Sequence, residues 1–184
     1  MNPLPRATEM AHDLVRKRIR EGDIAVDATV GNGHDTLFLA ELVGPTGKVI
    51  GFDIQEQAIE MTLAKTNTLP QVTLHQTGHE TMEEFVTENV AVVMFNLGYL
   101  PSADKSVTTL PDTTTCAIRS ALNLLSPGGL VTLAIYTGHA GGDEEAAAVL
   151  ALAESLPQEK FSATSYRFLN QRNSPPFLIA IQKK

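Results

Sequence analysis

The sequence predicts a Rossmann-like α/β fold: a mostly parallel sheet covered by helices on both faces and closed by an antiparallel C-terminal strand. Three observations carry this. Short β-type runs alternate with helical stretches over most of the 184 residues, as right-handed βαβ units do. A glycine pair, Gly31 and Gly33, leaves the first of these runs and opens a helix, the place where an open α/β sheet binds ligands. The last two β-type runs are joined only by residues 169–176, too short a link for a crossover helix, so they pair antiparallel.

In chain order, a first helix is expected over residues 8–20, with Met10, Ala11, Leu14, Val15 and Ile19 as its apolar face and Gly22-Asp23 as its stop. Parallel strands follow at 24–30, 48–54, 72–76, 90–95 and 130–136. Helices between them are expected at 34–43, 56–67, 79–87, 113–125 and 143–156. The closing hairpin takes 161–168 and 177–182. No internal repeat or low-complexity segment interrupts this order, and one domain over 1–184 accounts for it.

Composition narrows the function. Fourteen Lys and Arg against 21 Asp and Glu give a net charge of −7, which argues against coating nucleic acid through a broad basic face. The local clusters Arg16, Lys17, Arg18 and Arg20, and Arg167 with Arg172, read as solvated charges. Cys116 is the single cysteine, read as a small core residue, so neither a disulfide within the chain nor a cysteine metal cluster is expected. No apolar run approaches the roughly 20 residues of a membrane-spanning helix, and no basic stretch leads into an apolar one at the start. No membrane association and a cytoplasmic location are therefore expected.

Asp27-Ala28-Thr29-Val30-Gly31-Asn32-Gly33 turns from strand into helix, and its glycines let the backbone approach a ligand closely. Asp53 closes the second strand, with Ile54 and Gln55 after it, and a carboxylate there accepts hydrogen bonds from both hydroxyls of a ribose. A nicotinamide dinucleotide asks for a third glycine where this chain has Thr36. S-adenosylmethionine carries no phosphate and tolerates a looser loop, and Asp27 suits its positively charged amino group. His34 and Asp35 open the following helix and are expected at the cofactor. His79 and Glu80, after the third strand, stand where an adenine is held or serve only as first-turn helix residues.

The fourth strand ends in Asn96-Leu97-Gly98-Tyr99. An Asn followed three residues later by an aromatic resembles the Asn-Pro-Pro-Tyr loop of methyltransferases acting on exocyclic amines, in which the Asn oxygen accepts a hydrogen bond from the amine and the aromatic packs on the base. Leu97-Gly98 replaces the two prolines. The parallel sheet with its terminal hairpin is likewise similar to the class I methyltransferase fold, whose seventh strand inserts antiparallel between the fifth and sixth.

The wider set of motifs is specific. Asp27-Ala28-Thr29, Gly31-Asn32-Gly33-His34-Asp35-Thr36, Asn96 to Pro101 with Asp104-Lys105, Tyr136-Thr137-Gly138-His139, and Asn170-Gln171 with Asn173 and Pro175-Pro176-Phe177 resemble the small methyltransferases long labelled rRNA methylases. That resemblance implies tRNA modification at the wobble position, methylating 5-aminomethyl-2-thiouridine to 5-methylaminomethyl-2-thiouridine, with the anticodon arm as partner. An rRNA base methyltransferase, a small-molecule amine methyltransferase and a non-catalytic binding module stay open as alternatives, and a homodimer is compatible with a chain of this size.

An alkylamine carries an extra proton at neutral pH, so a proton acceptor is expected: Asp104 or His139, with Tyr136 as a weaker choice. Asn170, Gln171, Arg172 and Asn173 follow the sixth strand and are expected at the substrate, since amides and Arg suit base edges and phosphates.

Overall fold

The computed structural model describes residues 4–98, 108–138, 140–172 and 174–184. Its strands are β1 (Ile24–Asp27), β2 (Lys48–Asp53), β3 (Val72–Gln76), β4 (Val90–Leu97), β5 (Leu125–Ile135), β6 (Phe161–Tyr166) and β7 (Phe177–Lys183). Its helices are α1 (Ala7–Arg18), α2 (His34–Val43), α3 (Glu56–Thr66), α4 (Met82–Phe85), α5 (Pro111–Leu124) and α6 (Gly142–Ser155). The strands form one sheet in the order β3-β2-β1-β4-β5-β7-β6. β1 pairs parallel with both β2 and β4, so the strand order reverses there and opens a crevice at the carboxyl ends. β7 runs antiparallel to β5 and to β6, as the terminal hairpin predicts, which leaves β6 parallel to β5.

Both faces of the sheet are buried, as parallel strands require. On β4, Val93 and Phe95 pack with Ile118, Leu133 and Val149 on one side. Val92 and Met94 pack with Ala11, Val15 and Leu39 on the other. Hence α5 and α6 cover one face, and α1 and α2 cover the other.

Several boundaries differ from the sequence reading. β4 runs on to Leu97 because Asn96 and Leu97 pair with Ala134 and Ile135, so Asn96 is held in the ladder and not in a loose loop. β5 begins at Leu125, ahead of the strand expected at 130–136. The register slips between the Val90 and Val92 pairs, and Gly128 absorbs the bulge at φ 73°. Arg18 ties that bulge to α1, donating from Nε to the Gly128 carbonyl at 2.7 Å and from NH2 to Ser126 Oγ at 3.0 Å; it is a structural strut, not a solvated charge. The helix expected at 79–87 shrinks to a 3-10 turn, His79–Thr81, and α4, because Val86 is extended at φ −104°, ψ 101°. Cys116 is exposed on α5, not in the core, since Ala117, Ile118 and Ala121 hold the buried face. Among the described residues no helix is long and apolar enough to cross a membrane.

Candidate active site

At the carboxyl ends of β1, β2, β4 and β5 lies a cavity of about 750 Å³, within the size of small-molecule sites. Its wall takes Thr29, Gly31 and Asn32 from the β1 loop, His34 and Asp35 from α2, and Asp53, Ile54 and Gln55 from the end of β2. His79 and Glu80, Asn96 and Tyr136 complete it, with Pro175 and Pro176 from the last connection and Thr8 and His12 from α1.

Local chemistry holds the β1 loop in shape. Gly33 caps α2 in the left-handed region at φ 75°, and a Cβ there would sit 2.5 Å from Thr62 Oγ1, so only glycine fits against α3. Asp53 Oδ2 accepts the Gly31 N–H at 2.9 Å and its Oδ1 accepts the Gln55 N–H at 2.9 Å. The carboxylate is thereby fixed at the strand end, with a lone pair left on each oxygen.

Asp27 sits behind this loop and not on the cavity wall. It is fully buried, accepting the Thr36 hydroxyl at 2.6 Å and the Thr29 N–H at 3.2 Å. Burial, and then the nearby charge of Asp35, push its carboxyl up to about 7. The expected direct contact of Asp27 and Thr36 with a cofactor is replaced by an inward-turned pair that braces the loop. His79 is also buried, donating from Nδ1 to the Ala28 carbonyl at 3.1 Å. Burial holds its pKa below the ordinary imidazole value, so the ring is neutral.

The reactive end is organised around Asn96. Its backbone N–H donates to Thr29 Oγ1 at 2.7 Å, and its Nδ2 donates to Asp35 Oδ2 at 2.6 Å. Asp35 Oδ1 in turn meets His12 Nε2 at 2.6 Å. Burial pushes the Asp35 carboxyl up, but the hydrogen bonds from His12 and Asn96 outweigh it and hold the group below the usual carboxylate range. Asp35 is thus ionised and can only accept, so the Asn96 amide must turn its nitrogen toward it. Asn96 Oδ1 is left as an acceptor with no hydrogen-bond partner among the described residues. Tyr136 stands nearby, its N–H on the Leu97 carbonyl at 3.1 Å. Burial, followed by the Asp35 charge, pushes its phenol up.

Two site residues escaped the sequence reading. His12 reaches the cavity from α1, and nothing in a helix with alternating apolar positions signals a contact across 23 residues of chain. Glu145, buried in α6, accepts the Thr109 and Thr114 hydroxyls at 2.7 and 2.6 Å. Thr109 also exchanges hydrogen bonds with Gly98, its N–H to the Gly98 carbonyl at 3.1 Å and its Oγ1 accepting the Gly98 N–H at 3.0 Å. Glu145 thus clasps the chain where it returns to the site. Asn170, Gln171 and Arg172 are exposed and lie off the wall, while Ser174 beside them is on it. Tyr99, Asp104, His139 and Asn173 lie outside the described residues.

Known proteins resemble this one across its length. The family described as "Putative rRNA methylase" matches residues 49–182. A curated relative, the chloroplastic tRNA (mnm(5)s(2)U34)-methyltransferase of Arabidopsis thaliana, is 39% identical over 195 residues, covering 97% of this chain and 70% of that protein. A crystal structure described as a "putative rRNA-methylase" from Clostridium thermocellum superposes with a TM-score of 0.97 at 44% identity, covering 100% of both chains. A protein from Streptococcus mutans described as "a putative methyltransferase", in complex with SAH, gives 0.91 at 42% identity, covering 99% of this chain and 100% of that one.

Proposed function

The chain belongs to the "Putative rRNA methylase" family and is an S-adenosylmethionine-dependent methyltransferase; we propose that its substrate is tRNA and that it methylates the 5-aminomethyl group of the wobble 2-thiouridine. The observation that carries this reading is the locked Asn96 amide, whose Oδ1 is presented as an acceptor. The identity to a tRNA wobble methyltransferase over nearly the whole chain supports it.

The wall suits S-adenosylmethionine. Asp53 keeps lone pairs for ribose hydroxyls, and Ile54, 55% exposed, offers an apolar edge for a base. Thr36, where a dinucleotide site has its third glycine, is turned inward onto Asp27. When bound, the cofactor supplies an electrophilic methyl: the amine lone pair forms the new N–C bond as the C–S bond breaks, its electrons staying on sulfur.

The chain's own residues position the amine. Asn96 Oδ1 accepts one of its N–H groups and so aims the lone pair, with Tyr99 packing on the base. His139 receives the proton that the alkylammonium must first lose, and Asp104 orients the substrate or the histidine. Asn170, Gln171, Arg172 and Asn173 contact the anticodon arm. The whole activity resides in one domain.

The test is methylation of purified tRNA carrying 5-aminomethyl-2-thiouridine, read by nucleoside mass spectrometry, beside the same tRNA without the aminomethyl group and beside ribosomal RNA. Methyl transfer confined to the aminomethyl tRNA is expected. Equal transfer to ribosomal RNA would return the reaction to the one that the family description names.

A further inference from the structure

We propose that His12, on α1, is a positioning residue of this reaction: through Asp35 it holds the Asn96 amide with its oxygen toward the substrate amine. The proposal rests on the amine reading of Asn96 given above. The family match begins at residue 49, so it includes neither α1 nor Asp35.

The geometry is a relay of two short contacts through one carboxylate. His12 Nε2 lies 2.6 Å from Asp35 Oδ1, and Asn96 Nδ2 lies 2.6 Å from Asp35 Oδ2. Each carboxylate oxygen faces one partner, so the tilt of the group is set by both. Facing an ionised carboxylate, His12 Nε2 must carry the proton and donate it. The Asp35 side chain is only 12% exposed, so solvent is a poor substitute for that donor.

His12 is itself held in place. Its ring stacks on Phe38 with centroids 3.9 Å apart and planes 12° from parallel. Its helix is fixed by the buried Ala11 and Val15, by Arg18 on Gly128 and by Tyr166, which donates to the Pro5 carbonyl at 2.8 Å.

The consequence lies at the far end of the relay. An Asn amide flipped by half a turn exchanges an acceptor for a donor of almost equal size. Among the described residues its bond to Asp35 is the side-chain hydrogen bond that prevents that flip, and a flipped Asn96 would meet the amine N–H with its own N–H. Removing His12 loosens Asp35 and so releases Asn96, without touching Asp53 or the β1 loop. His12 therefore governs turnover and not cofactor affinity.

Three variants test this: His12→Ala, His12→Phe, which keeps the stack on Phe38 without a donor, and His12→Gln, whose amide restores one near the Nε2 position. Each is measured for turnover on aminomethyl tRNA, S-adenosylmethionine affinity by calorimetry, and the Asn96 side-chain amide resonances, identified as the pair missing in Asn96→Ala. We expect kcat to fall about tenfold or more in His12→Ala and His12→Phe, with KM for tRNA and cofactor affinity within about threefold of wild type. The Asn96 resonances should shift in both, and His12→Gln should recover most of the turnover and the wild-type shifts. Should His12→Ala unfold, His12→Phe decides. Unmoved Asn96 resonances, wild-type kcat in His12→Phe, or a His12→Gln as impaired as His12→Phe would overturn the proposal. Wild-type protein that leaves the tRNA unmethylated would defeat the substrate reading alone, and the resonances would still decide the role of His12.

Discussion

Replacing Asp27 by asparagine should change how stability depends on pH. The native carboxyl is pushed up to about 7 from the ordinary 3.8, first by burial and then by the Asp35 charge. The folded protein therefore keeps a proton that the unfolded chain releases, and stability falls as pH rises from about 4 to 7 and is level above it. A shift of about three units corresponds to about 4 kcal/mol, of which about 3 kcal/mol falls between pH 5 and 8. The substituted amide would not titrate: its oxygen accepts the Thr29 N–H, and its NH2 donates to the Thr36 hydroxyl, which reverses its role. His79, held below the ordinary 6.5 by burial, lowers stability toward acid pH in both proteins and cancels in their difference. Urea unfolding followed by far-ultraviolet circular dichroism from pH 5 to 8 gives that difference directly. Asp27→Asn should gain about 3 kcal/mol on wild type across the range. Parallel curves would mean that Asp27 is ionised throughout, and the account of a protonated brace behind the cofactor loop would fail.

Asp53→Ala removes the charged acceptor proposed for the ribose, and calorimetry should show S-adenosylmethionine binding weakened by about 1.5–3 kcal/mol, with NAD bound by neither protein. Asn96→Ala should lower kcat about a hundredfold while cofactor affinity stays within about threefold; normal turnover on a verified substrate would remove Asn96 from the mechanism. Glu145→Ala strands the Thr109 and Thr114 hydroxyls and should cost about 2–4 kcal/mol in denaturant unfolding, whereas Glu145→Gln, which still accepts one of them, should cost less. His139→Ala should lose most activity at neutral pH and regain part of it near pH 10, where solvent deprotonates the amine; a wild-type pH profile would assign the proton to another acceptor.

Local pattern made the architecture legible. The alternation of β-type and helical runs, the breakers between them and the short link before the last strand each act over a few residues, and together they imply the crevice between β1 and β4. Asp53 was legible for the same reason, because a strand end and a glycine loop place it regardless of what packs around them. The individual hydrogen bonds that build the site were not. His12 meets Asp35 across 23 residues of chain, Asn96 meets Asp35 across 61, and Arg18 reaches Gly128 across 110. Such contacts depend on the angle and depth at which α1 and α2 settle on the sheet, and a shift of one ångström would break them. Asp27 shows the division most clearly: its sequence position assigns it to the cofactor loop, but the packing of Thr36 beneath that loop turns its carboxylate inward. Periodicity, breakers and spacing thus determined the fold class and the place of Asp53 at the end of β2. Tertiary packing alone decided which polar groups meet, because a hydrogen bond needs its donor and acceptor within about 3 Å, a tolerance no sequence spacing specifies between separate elements.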